Sequence, residues 1–297
     1  NFYLFIFNEV SILALAANSN NQDIVEFLLS KSAQKDIEAG TFKDCKKLRS
    51  IDLQFPIDVL TRALFSGCSS LIQVTIPSST RSIEPFAFHK CSSLISIVIP
   101  PSVRSIGSSA FYGCSSLRSI ELPTYLKSIE SFTFFGCTAL QQVTIPQYVS
   151  YIGSSSFNGC SSLISIEIPC RAQELNNAFS ECASLKRISI PTSVTFIGSN
   201  ALARCSSLTD IIIPPSVTFI NDSAFSECSS LQKIEIPQSV KSIGSFILKK
   251  CSSLTQISIP STISSYGKNL IGGEVSQTLT NIHNTLNVSP NTEIILI

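Results

Sequence analysis

Residues 91–113 read CSSLISIVIPPSVRSIGSSAFYG, and the chain writes this unit about ten times over. Its opening cysteine returns at 45, 68, 91, 114, 137, 160, 182, 205, 228 and 251, every step being 23 residues except the 22 from Cys160 to Cys182. A fixed period of this length marks a solenoid, in which each repeat is one coil stacked on the next. Leu94, Ile97 and Ile99 have the period-two spacing of a strand with one buried face. Proline follows the strand in nine of the ten units, as Pro100 does here, and having no N–H it ends the strand and turns the chain. Ile106, Ala110, Phe111 and Cys114 then fall on one face of a short helical turn. The expected architecture is therefore a repeat solenoid with a parallel β-sheet on one face and short helical turns opposite.

Two columns of the repeat carry further information. Phenylalanine recurs at 42, 65, 88, 111, 134, 157, 179 and 225, so stacked coils would bury the rings as one continuous ladder. A glycine follows the isoleucine at 107, 153, 198 and 244 and follows Tyr266 at 267, but Thr61, Glu84 and Glu130 share its slot. Threonine and glutamate tolerate a left-handed backbone poorly, which points to tight packing or exposure at this slot, not to a positive φ. In the unit from Cys160, Ala172 and Leu175 keep their columns while Phe179 arrives one place early, which puts the missing residue just after Leu175.

The pattern C-S-S-L-x-x-I-x-I-P-x-S-V-x-x-I-G-x-x-A-F, nearly complete in 91–113 and 205–227, resembles the BspA-like leucine-rich repeats, also called the Treponema pallidum type. The resemblance covers roughly residues 36–273. It implies a curved right-handed coil used for binding, in a family with surface antigens and adhesins among its members. The slot of the usual ladder asparagine is held by serine, at 79, 102, 193, 216 and 239. Upstream, residues 11–33, SILALAANSNNQDIVEFLLSKSA, resemble the two-helix body of an ankyrin repeat, with Ile12, Ala14, Asn20 and Ser32 departing from its proline, histidine and glycines. Three parts are expected: an ankyrin-like helical segment over 1–35, leucine-rich coils over 36–273, and an irregular C-terminal cap over 274–297. Leu279 and Ile282 suggest one last strand in the cap.

Composition excludes several functions. Charged residues are 14% of the 297, the net charge is +1, and no run of lysine or arginine offers the basic stripe that nucleic acid needs. No apolar stretch approaches the roughly 20 residues that span a bilayer. Histidine occurs only at 89 and 283, so neither a zinc cluster nor a cysteine nucleophile with its base is legible, and no cofactor is implied. The strand spacing of about 4.8 Å would permit disulfides between successive coils. The apolar spacing instead favours one inward, reduced thiol per coil, and only Cys170 lies off the ruler. Reduced thiols and the ankyrin resemblance point mildly to a reducing compartment, whereas the BspA resemblance points to a cell surface.

The resemblance to leucine-rich repeats implies a surface that binds protein. The two outward strand positions form columns that are mostly neutral until the C-terminal half, where Arg187, Asp210, Ile212, Lys233 and Glu235 bring charge and an apolar side chain together. These five residues are the expected protein-binding site of a non-enzymatic, monomeric scaffold. A surface adhesin is the alternative.

Overall fold

The computed structural model describes residues 14–17, 19, 37–53, 55–260, 263, 265–266 and 293–296. Among these, one coil stands for the rest. Ser96–Val98 forms a strand with only its middle residue buried. The Val103 N–H donates to Pro100 O at 3.0 Å and closes the proline turn. A second strand, Ser105–Ile106, follows. Both strands pair in parallel with their copies one period away: Ser96 with Ser119 and Ile97 with Ile120 in the first ladder, Ser82 with Ser105 and Ile83 with Ile106 in the second. The period-two spacing of Ile97 and Ile99 announced the first ladder. The second has two residues per coil, too few to show a period.

The segment expected as a short helical turn is instead a chain of hydrogen-bonded turns. Ser109 and Gly113 adopt left-handed conformations with φ of 57° and 69°, which interrupts any helix. The N–H groups of Ala110, Tyr112 and Cys114 close local turns, while those of Ser109, Phe111 and Gly113 donate to Ser131, Thr133 and Phe135 of the next coil. Alternating the direction in this way gives every second amide a partner outside its own coil, and buried backbone donors need one. The left-handed slots are filled in other coils by Phe86, Phe132 and Phe246 or by Lys90, Arg204 and Glu227. Non-glycine residues there cost about 1 kcal/mol each, which the inter-coil bonds offset.

The core is the column set read from the sequence. Phe42, Phe65, Phe88, Phe111, Phe134, Phe157 and Phe179 are fully buried, and neighbouring rings stack with centroids 5.3–5.6 Å apart. The serine column works as the asparagine column of other solenoids does. Ser102 Oγ donates to Thr80 O at 2.6 Å, and Ser193, Ser216 and Ser239 make the same bond to the preceding coil. The glycine slot is a close approach: a Cβ on Gly107 would lie 2.4 Å from Pro85 N, and one on Gly153 would lie 2.3 Å from Ser131 N.

The 22-residue coil absorbs its deletion where expected. Glu174 and Leu175 keep the second ladder's register with Phe196 and Ile197. The left-handed residue then comes one place early, at Asn177 with φ of 51°. Asn177 Nδ2 donates to Ser155 Oγ at 2.8 Å, a side-chain bond across the shortened turn.

At the N-terminal end, Ala16 and Ala17 of a single helical turn (residues 14–17) join the core of the first coil. Most of the ankyrin-like segment lies outside the described residues. At the other end, Glu293–Leu296 pairs with Gln256–Ile259 and extends the first ladder. Leu279 and Ile282, expected in a last strand, lie outside the described residues.

Ser156 occupies a slot that is alanine at 87, 110, 178, 201 and 224, and its Oγ is the one buried side-chain polar atom without a partner among the described residues. An unsatisfied buried hydroxyl is costly. Ser156→Ala is expected to raise stability by about 1 kcal/mol, read as a higher urea midpoint at unchanged m-value.

Candidate functional site

The first ladder presents alternate residues outward, so its two outer columns form one continuous face. Arg187–Ser189 pairs with Ser165–Glu167 on one side of this face, and Lys233–Glu235 with Gln256–Ile259 further along. Between them, residues 209–215 carry no strand, although Ile211 and Ile213 stay buried. The ladder is consequently open on both sides of this coil; it is also unpaired between Gln73–Thr75 and Ser96–Val98 and between Gln142–Thr144 and Ser165–Glu167, but there each coil keeps its strand. Ile188 and Ile190, next to the gap, are only partly buried, unlike Ile166 and Ile168 one coil earlier. Nothing within residues 209–215, rich in β-branched Ile211, Ile212 and Ile213, accounts for the gap, and no sequence signal announced it.

Where the ladder opens there is a groove of about 400 Å³. Asp210, Ile212, Lys233 and Glu235 line it together with Gln256 and Ser258. The structure thus brings four of the five expected site residues to one groove, while Arg187 stands outside it. Ile212 is 78% exposed at the groove's edge, an isolated apolar anchor among charges. None of Arg187, Asp210, Lys233 and Glu235 forms an ion pair within 4.0 Å among the described residues. The ion pairs present run along another edge, where Glu181, Arg204, Glu227 and Lys250 alternate in sign over four coils. Because Glu181, Arg204 and Lys250 are exposed and Glu227 is only partly buried, each pair contributes little to stability.

The cysteines are structural. All eleven are free thiols, and ten are buried. Each ruler thiol from Cys68 to Cys251 donates to a main-chain carbonyl of the neighbouring coil, as Cys114 Sγ does to Phe88 O at 3.1 Å. Phe88 O also accepts the N–H of Cys91, so the thiol occupies its second lone pair. Burial pushes Cys137, Cys182 and Cys251 up to about 12, which leaves them protonated and poor nucleophiles.

His89 is held below its usual range by burial and then by Lys90 and Lys43, and its ring stacks on Tyr112 at 4.9 Å. No group of three or more potential metal ligands occurs among the described residues. No helix there is long and apolar enough to cross a membrane.

The family model described as BspA type leucine-rich repeat region matches residues 12–114, 81–177 and 175–292. The chain belongs to this family. The match begins inside the segment that resembles an ankyrin repeat, and no comparison supports an ankyrin unit there. Among solved structures, the chain is similar to a leucine-rich cell surface protein from Faecalibacterium prausnitzii, with 26% identity over 84% of this chain and 78% of that one and a TM-score of 0.55. It has the fold of the pneumococcal vaccine antigen PcpA (22% identity, 84% and 68% coverage, TM-score 0.55). A leucine-rich repeat protein from Eubacterium ventriosum shares it too (18% identity, 80% and 82% coverage, TM-score 0.51). No curated protein shows significant similarity to the chain.

Two outcomes follow from the thiols. In native protein one thiol per chain, Cys170, is expected to react with a maleimide, and ten more only after denaturation; intact-mass counting checks both numbers. In the unfolded chain thiols ionise near about 8.5. Folded Cys137, Cys182 and Cys251 hold their protons up to about 12. Between those limits the unfolded state binds fewer protons, so stability that is fully present below pH ~8.5 declines as pH rises. The urea midpoint should fall from pH 8 to pH 10.5, and less steeply in Cys137→Ala/Cys182→Ala.

Proposed function

We propose that this BspA-type repeat protein is a non-enzymatic scaffold that binds a protein partner through the opened strand face at Asp210, Ile212, Lys233 and Glu235, with Arg187 flanking the contact. The observation that carries this reading is that the one coil without a strand in the first ladder among the described residues, 209–215, lies where the outward columns change from mostly neutral to charged, beside the groove. An exposed isoleucine ringed by charges that lack ion-pair partners has the composition of a small protein-contact anchor with a polar rim. Elsewhere on the face Val98 is as exposed, at 82%, but beside it stand Thr75, Ser96, Ser119 and a single charge, Glu121.

Exposure at a cell surface is the reading of its location that the comparisons favour, since the F. prausnitzii relative is described as a cell surface protein. An intracellular scaffold is the alternative, and it rests on the ten buried thiols.

A photo-crosslinking residue placed at Ile212 is expected to capture a protein that the same residue at Val98, on the same face, does not. Alanine at all five positions should weaken that protein's binding at least tenfold. Undiminished affinity would reject the site.

A further inference from the structure

The serine column is broken in three consecutive coils. Where five other coils carry serine, at 79, 102, 193, 216 and 239, these have Tyr125, Tyr148 and Arg171. Each gives up a hydrogen bond of the kind Ser102 makes at 2.6 Å, worth about 1 kcal/mol net. A fold that surrenders such a bond three times running has kept larger side chains there for another reason.

Together the replacements build a stack. Arg104 lies over the Tyr125 ring at 5.1 Å, Tyr125 stacks on Tyr148 at 5.8 Å, and Arg171 lies over Tyr148 at 5.4 Å. Arg104 Nη1 is held from behind by Pro101 O at 2.5 Å. Both tyrosines are about half exposed, at 56% and 44%. With Lys127 and Ser150 they line a groove of about 770 Å³ in which every titratable lining side chain other than tyrosine is cationic. None of the three cations forms an ion pair among the described residues.

We infer that this Arg–Tyr–Tyr–Arg groove binds an extended acidic segment of a protein. The ring faces are occupied by one another and by guanidinium groups, so neither a sugar ring nor a nucleobase has a face to stack on. What the groove offers outward is a row of donors: two planar guanidinium groups, an ammonium and two phenol hydroxyls. Guanidinium is the group suited to bidentate carboxylate recognition. The two arginines lie three coil steps apart, roughly 14 Å at about 4.8 Å per step. Carboxylates four residues apart on an extended chain are separated by about 13 Å, and Lys127, one coil step from Arg104, adds a cation between them. The site is distinct from the opened strand face and does not depend on it.

The test is fluorescence anisotropy of a labelled alternating Glu-Ser dodecapeptide against the full chain at low salt, with the Gln-Ser peptide as control. The Glu peptide should bind at least tenfold tighter than the control, and Arg104→Gln/Arg171→Gln should abolish that difference. Tyr125→Ser/Tyr148→Ser restores the repeat's own serine, so it should hold or raise Tm while weakening binding at least fivefold. Asp210→Ala/Ile212→Ala should leave the affinity unchanged, which separates failure of this inference from failure of the strand-face reading. Equal binding of the two peptides, or full binding by the Arg104→Gln/Arg171→Gln variant, overturns the inference. Tighter binding of a heparin fragment or of oligo-dT than of the Glu peptide, lost in the same variant, overturns the choice of a peptide.

Discussion

Each residue must sit on its own copy one coil away, and the rest of the molecule follows from that requirement. Parallel ladders leave every strand needing a partner with the same hydrogen-bonding face and the same side-chain size. A slot that works in one coil is therefore imposed on the next. This is why Phe111 stacks between Phe88 and Phe134 at nearly one distance, and why Cys114 reaches Phe88 O just as Cys137 reaches Phe111 O. A thiol fits the slot because it is small and apolar enough for the core and still donates one weak hydrogen bond to a carbonyl already holding an N–H.

The same requirement sorts chemistry from structure. A residue type present in every coil is explained by the coil, so the ten aligned cysteines carry no reactivity and the phenylalanine column is no ligand platform. Both proposed contacts lie where the repetition lapses. Residues 209–215 lose the strand and open a groove beside Lys233 and Glu235. Tyr125, Tyr148 and Arg171 lose the serine bond and expose a basic, aromatic groove. The missing residue after Leu175 is the opposite case, a lapse repaired within one turn by Asn177 and Ser155.

The proposed strand-face site was legible in part. Arg187, Asp210, Ile212, Lys233 and Glu235 stood out because outward columns are free of packing constraints and so show their variation openly. Their exposure followed from period-two spacing alone. The gap that gathers four of them was not legible, since Ile211–Ile213 reads as an ordinary strand and ladder pairing depends on both neighbouring coils. The tyrosine–arginine groove was missed although its residues were in view. Its signal was the absence of serine in the slot of Tyr125, Tyr148 and Arg171, which gains meaning only once Ser102 and Ser193 are seen bonding across coils.

The sequence by itself determined the solenoid, the coil boundaries, the buried columns and the turn that lost a residue. All of these rest on contacts whose pattern repeats every 23 residues. Only the tertiary structure decided the second ladder, the left-handed turns at Ser109 and Gly113, the destination of each thiol hydrogen and the two grooves. Those depend on how one coil settles on the next, through partners such as Cys114 and Phe88 that lie 26 residues apart. Such lateral registration leaves no trace within a single repeat.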